Sequence, residues 1–262
     1  MTQTERRIWL IHALQKEMPE YAEIEIPDDE QGQRWLLRGL MNVRMPGPAS
    51  DDFLRVQNAY LQEVTKEKGQ VDPEGLAPSS FDPRLCLWQG DITRLAADAI
   101  TNACNSKLLG CFQPNHNCID NIEHTMAGVQ MRLACYNMMR RQGHDEPTGS
   151  CKVTSGYNLP AKYVLHTVGP IVQGPLTNRH RQQLASCYRS CLDAASSHGC
   201  RNAAFCCIST GVFMFPQKEA AKIAVSTVRS WLDEHPDAPI QKVIFNVFKD
   251  RDREIYEHLL NR

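Results

Sequence analysis

The 262-residue sequence has no excess of charge of either sign and no long hydrophobic run. It contains 29 Lys and Arg against 30 Asp and Glu, so bulk electrostatics favours neither nucleic-acid nor membrane binding. No apolar stretch approaches the roughly 20 residues needed to span a bilayer, and we find no internal repeat. These absences indicate a globular protein with its own core, for which 42% hydrophobic residues is an ordinary content.

A secretory signal pattern is also missing, which affects how the 11 cysteines are interpreted. Their number is odd and the chain is long, so a disulfide scaffold is disfavoured. Several stand singly in apolar runs, as Cys86 does between Leu85 and Leu87, where a free thiol acts as a small hydrophobic group. We therefore expect a reducing, cytoplasmic environment.

The pattern of the chain changes near residue 80. Before it, apolar residues recur at helical spacing, and a breaker-rich segment with three prolines follows at 71–83. After it, short apolar runs alternate with longer helical patterns, which favours an α/β domain with a mixed or largely parallel sheet covered on both faces. We predict a helical N-terminal extension over residues 1–80 and an α/β domain over 81–262.

Charge is divided unevenly between these two parts. Residues 1–80 hold 9 Lys and Arg against 14 Asp and Glu, and the remainder holds 20 against 16. A mildly basic body suits a compact anionic ligand better than a long polyanion.

Strands are predicted at the short apolar runs and helices at the longer periodic segments of the α/β part. The predicted strands are 85–88, 99–103, 151–157, 163–168, 203–208 and 242–247, and the predicted helices are 120–142, 178–198, 217–234 and 251–260. Cys206 and Cys207 would then lie within a strand and point to opposite faces, which excludes a redox pair.

The segment from Gly110 to Asn121 concentrates candidate metal ligands. Two thiols and an imidazole, from Cys111, His116 and Cys118, fall within eight residues. Cysteine and histidine are preferred zinc ligands, and three protein ligands leave a tetrahedral ion one open position. The alternative interpretation of this spacing is a cysteine-rich loop that binds no metal.

Other unusual loops follow predicted strands, where α/β proteins bind ligands. Gly90–Thr93 follows the first strand, Asn102–Asn105 ends the second, and Ser209–Pro216 follows the fifth. A single turn of this kind is weak evidence, but the three loops at matching strand ends reinforce one another.

These segments together resemble the macrodomain family, whose members bind ADP-ribose. The resemblance covers about residues 84–262 and implies a three-layer α/β/α fold with a mixed sheet. The matching segments, in the order of the family, are Gln89–Thr93, Asp98–Asn105, Gly156–Pro170 and Ile208–Pro216.

One departure from the common family pattern is informative. Most macrodomains have a triple-glycine run where this chain has Cys111–Cys118. The departure resembles a zinc-containing class of macrodomains, whose members also carry a helical N-terminal extension. This resemblance implies one Zn²⁺ per chain, with Cys111, His116 and Cys118 as ligands, and Asn105 and Asp120 as the catalytic residues beside it.

The family also implies the residues that bind ADP-ribose. Asp91 would accept a hydrogen bond from the adenine amino group, and loop amides would cradle the diphosphate. Either Asn246 or Phe248 would line the adenine pocket, and Met214 stands where many macrodomains have glycine. The implied substrate-binding residues are Asp91, Ile92, Asn105, Ser209, Thr210, Gly211, Val212 and Phe213. His124 and His166 are expected to be structural.

The resemblance implies a zinc-dependent hydrolase that removes mono-ADP-ribose from modified protein side chains, most simply acidic ones whose ester leaves readily. Two other functions share the same pocket: a non-catalytic ADP-ribose reader, and a hydrolase of O-acetyl-ADP-ribose. Family context suggests a lipoyl-carrier protein, modified by a sirtuin-type transferase, as the substrate. No nucleic-acid or membrane partner is expected.

Overall fold

The computed structural model describes residues 1–261, so the predicted domain limit at residue 262 lies outside them. Three helices come first, and strands then alternate with helices. The helices are α1 (Gln3–Glu17), α2 (Glu30–Val43), α3 (Asp51–Lys68), α4 (Ile119–Ala127), α5 (Val129–Gln142), α6 (Asn178–Ser197), α7 (Gln217–Glu234) and α8 (Asp250–Leu260). The strands are β1 (Leu85–Gln89), β2 (Ala99–Cys104), β3 (Cys151–Ser155), β4 (Tyr163–Val168), β5 (Asn202–Phe205) and β6 (Lys242–Val247).

The strands form one mixed sheet in the order β1-β6-β5-β2-β4-β3. Neighbouring strands are parallel except for the antiparallel pair β3 and β4. The strands β2, β4 and β6 are buried at every residue but one, as expected for strands covered on both faces. The predicted mixed α/β sheet is confirmed.

Helices cover both faces of the sheet, as two neighbouring residues of β4 show. His166 faces α4 and α5, with its ring near the Cys135 thiol of α5. Thr167 points to the opposite face because strand side chains alternate, and there it meets the cysteines of α6. The three-layer arrangement is therefore visible within a single strand.

The N-terminal helices pack with one another and against α4. Each helix begins at a residue whose side chain accepts a hydrogen bond from a backbone N–H of the first turn. The pairs are Thr2 with the N–H of Glu5, Asp29 with that of Gly32, and Ser50 with that of Phe53. Their buried apolar residues are continuous with those of the sheet domain in one core. No helix within residues 1–261 has both the length and the apolar content that crossing a membrane requires.

The prediction of one long helix over 120–142 is wrong, because Gly128 divides it into α4 and α5. Gly128 has φ +94°, a left-handed conformation that glycine adopts without strain. The Gln57 side chain from α3 accepts a hydrogen bond from the N–H of Val129 and so satisfies the start of α5. The break is thus stabilised from outside the helix.

Two predicted strands extend too far. β3 ends at Ser155 rather than Tyr157, and β5 ends at Phe205. The placement of Cys206 and Cys207 within a strand is therefore wrong: they belong to the irregular segment that enters the next loop. Ser209 in that loop has φ +64°, so the backbone has already left the extended conformation there.

Candidate functional site

Four parallel strands bring their following loops to one edge of the sheet. β1, β6, β5 and β2 are successive neighbours, so their carboxyl ends lie side by side. The loops that begin there are the ones that the sequence singles out: 90–94 after β1, 105–118 after β2 and 206–216 after β5. In open α/β sheets this edge is where ligands bind.

Asp91 caps the short 3₁₀ turn after β1 and is only partly exposed. Its Oδ1 accepts hydrogen bonds from the N–H and hydroxyl of Thr93, and its Oδ2 lies 3.0 Å from Nζ of Lys68 at the end of α3. Burial on its own raises the pKa of Asp91, but Thr93 and Lys68 outweigh it and the pKa is lowered. Asp91 is therefore an ionised acceptor, and the neighbouring Ile92 is buried.

The structure separates the two candidates for an adenine wall. Asn246 is buried, and its side-chain amide donates to the carbonyls of Gly90 and Trp88, which fixes the turn that carries Asp91. Phe248 is 74% exposed at the end of β6. Only Phe248 offers a ring face to a ligand, so Asn246 acts as a support.

The loop after β5 presents unused backbone donors. Its internal hydrogen bonds use the N–H groups of Thr210, Met214 and Phe215. Among residues 1–261, the N–H groups of Gly211, Val212 and Phe213 make no hydrogen bond to the protein. Successive free N–H groups just before the N-terminus of α7 form a favourable environment for an anion.

This loop depends on unusual backbone conformations. Ser209 and Met214 both have positive φ, so Met214 occupies a conformation that glycine adopts more readily. Gly169 after β4 allows the loop to approach, since a Cβ there would lie 2.0 Å from Oγ of Ser209. The close approach explains a glycine at position 169.

The loop after β2 brings Cys111, His116 and Cys118 together. Their ligand atoms all lie within 4.8 Å of one another, and Sγ of Cys111 is 3.5 Å from Nδ1 of His116. Tetrahedral zinc with ordinary Zn–S and Zn–N bonds requires a sulfur–nitrogen separation of about 3.6 Å. The three side chains are half-buried and close enough together to fit a zinc ion, and three protein ligands leave a tetrahedral ion one open position.

Asn121 holds this loop from the first turn of α4. Its side-chain amide donates to the carbonyls of Cys111 and Gln113, and its N–H donates to Sγ of Cys118, the N-cap of α4. Burial raises the pKa of the Cys118 thiol, and the nearby Cys111 raises it further. A bound cation would reverse this by stabilising thiolates.

Asp120 lies beside the metal-ligand cluster and is almost fully buried. The Asn102 amide donates to its Oδ1 over 2.8 Å, and Asn105 Nδ2 lies 3.5 Å from its Oδ2. Burial raises the pKa of Asp120 to about 6, although Asn102 and Arg132 lower it. Asp120 is thus a carboxylate of increased basicity, which suits proton transfer at neutral pH.

Asn105 is half-buried at the end of β2, next to this carboxylate. Its amide also donates to the carbonyl of Gly110, and its oxygen accepts from the N–H of Lys107. Asn105 therefore shapes the start of loop 105–118, the candidate metal loop, as well as facing Asp120.

A second group of metal-type side chains, His124, Cys135 and His166, lies beneath Asp120 in the core. Asn102 presents an amide hydrogen to Nδ1 of His166, which leaves Nε2 as the protonated nitrogen that donates to the Thr154 hydroxyl. Both His166 nitrogens are then used in hydrogen bonds. Burial lowers the pKa of His166 to about 4 and that of His124 well below its usual value. The hydrogen bonds of His166 are compatible with the structural role expected for it. Both ring nitrogens of His124 are buried without a hydrogen-bond partner, and its Nε2 lies 3.5 Å from Oδ1 of Asp120, so the structural role of His124 stays a prediction.

Sequence reasoning missed several residues that shape the site. Lys68 and Arg38 come from the N-terminal extension, and no local pattern marks them. Asn102 and Asn121 lie within segments that the sequence singles out, and a buried asparagine next to a carboxylate or a loop carbonyl is a detectable signal. Glu123 is fully buried without a hydrogen-bond partner, which its position in an amphipathic helix does not reveal.

Comparison with known proteins gives consistent matches. The Macro domain family matches residues 101–224. A protein-ADP-ribose hydrolase of Treponema medium is 51% identical over 263 residues, covering 100% of both chains, and one of Staphylococcus aureus (strain MSSA476) is 48% identical over 255 residues, covering 97% and 94%. The crystal structure of a Trypanosoma brucei macrodomain in complex with ADP-ribose superposes with a TM-score of 0.66 at 30% identity, covering 86% of this chain and 95% of that one.

Proposed function

This chain belongs to the macrodomain family, and from that membership we propose that it is a hydrolase that removes mono-ADP-ribose from modified proteins. The observation that carries the proposal is one cleft edge with three elements: free loop amides, a buried carboxylate of raised pKa, and a cluster of metal ligands. The full-length similarity to proteins named protein-ADP-ribose hydrolase supports the reaction class.

The ligand would lie along the strand ends from β1 to β2. Asp91 accepts a hydrogen bond from the adenine amino group, near the Ile92 amide, and the exposed ring of Phe248 packs on the base. The loop Ser209–Phe213 donates backbone N–H groups to the diphosphate. The distal ribose then lies between Phe213 and the residues Asn105 and Asp120.

Cys111, His116 and Cys118 would hold one zinc ion, which when bound supplies Lewis acidity at the anomeric end of the substrate. Asp120 accepts a proton from the attacking water, and Asn102 keeps that carboxylate oriented. Water supplies OH to the released ADP-ribose, and the proton that Asp120 has accepted passes to the leaving carboxylate, so the ester is cleaved without another reactant. An acidic-residue linkage fits best, because a carboxylate is a good leaving group.

A test measures single-turnover release of ADP-ribose from a protein mono-ADP-ribosylated on an acidic residue, with zinc content determined for each variant. We expect Asp120→Asn to lower the rate about 10²- to 10⁴-fold while zinc and ADP-ribose still bind. Cys111→Ala is expected to lose zinc and turnover together. Cys151→Ala, a half-buried cysteine on β3 outside the site, is the matched control and retains both.

The outcomes separate the alternatives. If zinc-loaded wild type binds ADP-ribose but releases none, the protein is a reader. If it cleaves O-acetyl-ADP-ribose and leaves the modified protein intact, its substrate is the small ester. If Cys111→Ala turns over like wild type, zinc is not required.

A further inference from the structure

Arg38 of α2 reaches from the N-terminal extension to the metal loop. Its Nη2 donates to the carbonyl of His116 over 2.7 Å and to Oδ1 of Asn121 over 3.0 Å. Asn121 in turn holds the carbonyls of Cys111 and Gln113. The Arg38 guanidinium group therefore holds the backbone of His116 directly, and it holds the rest of the loop through the Asn121 side chain.

The guanidinium group also carries an unused donor in the same place. Nε of Arg38 is buried and has no hydrogen-bond partner, an arrangement that is costly for a charged group. Asn121, which accepts from Arg38, also donates its N–H to Sγ of Cys118 over 3.4 Å, so the guanidinium group lies near that sulfur. Arg38 is thus a cation beside the loop that carries the candidate ligands, and the protein leaves one of its donors without an acceptor.

A second contact joins the same helix to the loop without any charge. Oδ1 of Asn42 accepts from the N–H of Asn115 over 2.9 Å, and its amide donates to the hydroxyl of Thr125. Asn115 has φ +56°, so this bond fixes a strained residue between the two ligand positions. The helix comes close at Gly39, where a Cβ would lie 3.1 Å from the Asn115 side chain.

From these contacts we infer that the N-terminal extension is part of the metal site: Arg38 positions the ligand loop and neutralises the Cys118 thiolate, and Asn42 holds the loop backbone. The inference rests on the proposed zinc site and assigns the extension a role in metal chemistry. Two thiolates would reduce the Lewis acidity of zinc, and a cation against one of them counteracts that effect. Partners of this kind commonly alter metal affinity 10- to 100-fold.

The test measures zinc affinity by chelator competition and, in the cobalt-substituted protein, the sulfur-to-cobalt charge-transfer band. We expect Arg38→Met to weaken zinc binding about 10- to 100-fold and to move the band to longer wavelength, because an unneutralised thiolate is easier to ionise. Asn42→Ala is expected to weaken binding without moving the band. Arg38→Lys keeps the positive charge but loses the paired donors. We therefore expect its charge-transfer band to lie at the wild-type wavelength and its zinc affinity to lie between those of wild type and Arg38→Met.

Arg7→Met is the matched control. Arg7 is a buried arginine of the same extension whose contacts, with Gln33 and Glu30, stay within the extension. The Arg7→Met variant shows how the loss of a buried arginine changes stability without a change at the candidate metal loop. Its zinc affinity and the position of its charge-transfer band should match those of wild type. Equal effects of Arg38→Met and Arg7→Met, or an unmoved band in Arg38→Met and Arg38→Lys, overturn the inference. A wild type that binds no zinc instead refutes the metal part of the proposed function.

Discussion

Two buried carboxyl groups one helical turn apart in α4 have different environments. Asp120 receives a hydrogen bond from Asn102 and lies near Arg132, so its pKa rises only to about 6. Glu123 is fully buried, neither of its oxygens has a partner, and burial raises its pKa well above the usual value. The first can serve chemistry as an anion, whereas the second is a source of instability.

We expect Glu123→Leu to increase the free energy of unfolding by about 1–3 kcal/mol at pH 8, because it removes a buried polar group that has no partner. The folded protein binds the Glu123 proton more tightly than the unfolded chain does. The loss of folding free energy caused by Glu123 is therefore small near pH 4.5 and grows as the pH rises toward the raised pKa. Urea unfolding of both proteins between pH 5 and pH 8 measures the difference.

Glu254→Leu on the exposed face of α8 is the control for added hydrophobicity and should leave the pH dependence unchanged. If the gain from Glu123→Leu is the same at pH 5 and pH 8, Glu123 is already ionised in the folded protein or has an unseen partner.

At the scale of elements, the parallel strand ends determine where the ligand groups meet. The family resemblance implies that the loop after β5 is a phosphate cradle, and the structure leaves three of its N–H groups free of protein acceptors. Helix limits were harder to predict. The pattern over 120–142 is continuous, and the break at Gly128 depends on Gln57, which is distant in sequence.

We expect Val212→Pro to weaken ADP-ribose binding about 10- to 100-fold, because it removes one N–H donor to a charged diphosphate. Val212 is 70% exposed, so the ring meets little steric hindrance. Isothermal titration with free ADP-ribose measures the change. Val212→Ala keeps the N–H and is expected to bind like wild type; equal binding by the proline variant would place the diphosphate elsewhere.

At the scale of the whole molecule, the extension and the sheet domain form one structure. Their buried apolar residues make a single core, and Arg132 of α5 donates to the carbonyls of Met41 and Arg44 in and just after α2. Lys68 reaches Asp91 at one end of the candidate site, and Arg38 reaches the candidate metal loop at the other. The extension therefore borders both ends of the candidate site.

We expect Leu14→Ala in α1 to lower the free energy of unfolding of the whole molecule by about 2–5 kcal/mol, since Leu14 is fully buried. Native-state hydrogen exchange should show the same loss of protection in peptides from α1 and from β4. Ile24→Ala, at a residue 43% exposed, should have little effect on either. Loss of protection confined to α1 would mean that the extension unfolds independently.

The sequence by itself determined the family, the mixed α/β fold and the segments that meet at the candidate site, because these depend on local periodicity and on short motifs that stay contiguous in the chain. The grouping of Cys111, His116 and Cys118 could also be predicted, since residues within eight positions of one another stay close in space. Tertiary structure alone decided which groups surround them. The contacts made by Lys68, Gln57 and Arg38 join residues that are 23, 72 and 78 positions apart in the chain. Contacts of that kind depend on how helices pack, and packing directions are not encoded in any single segment.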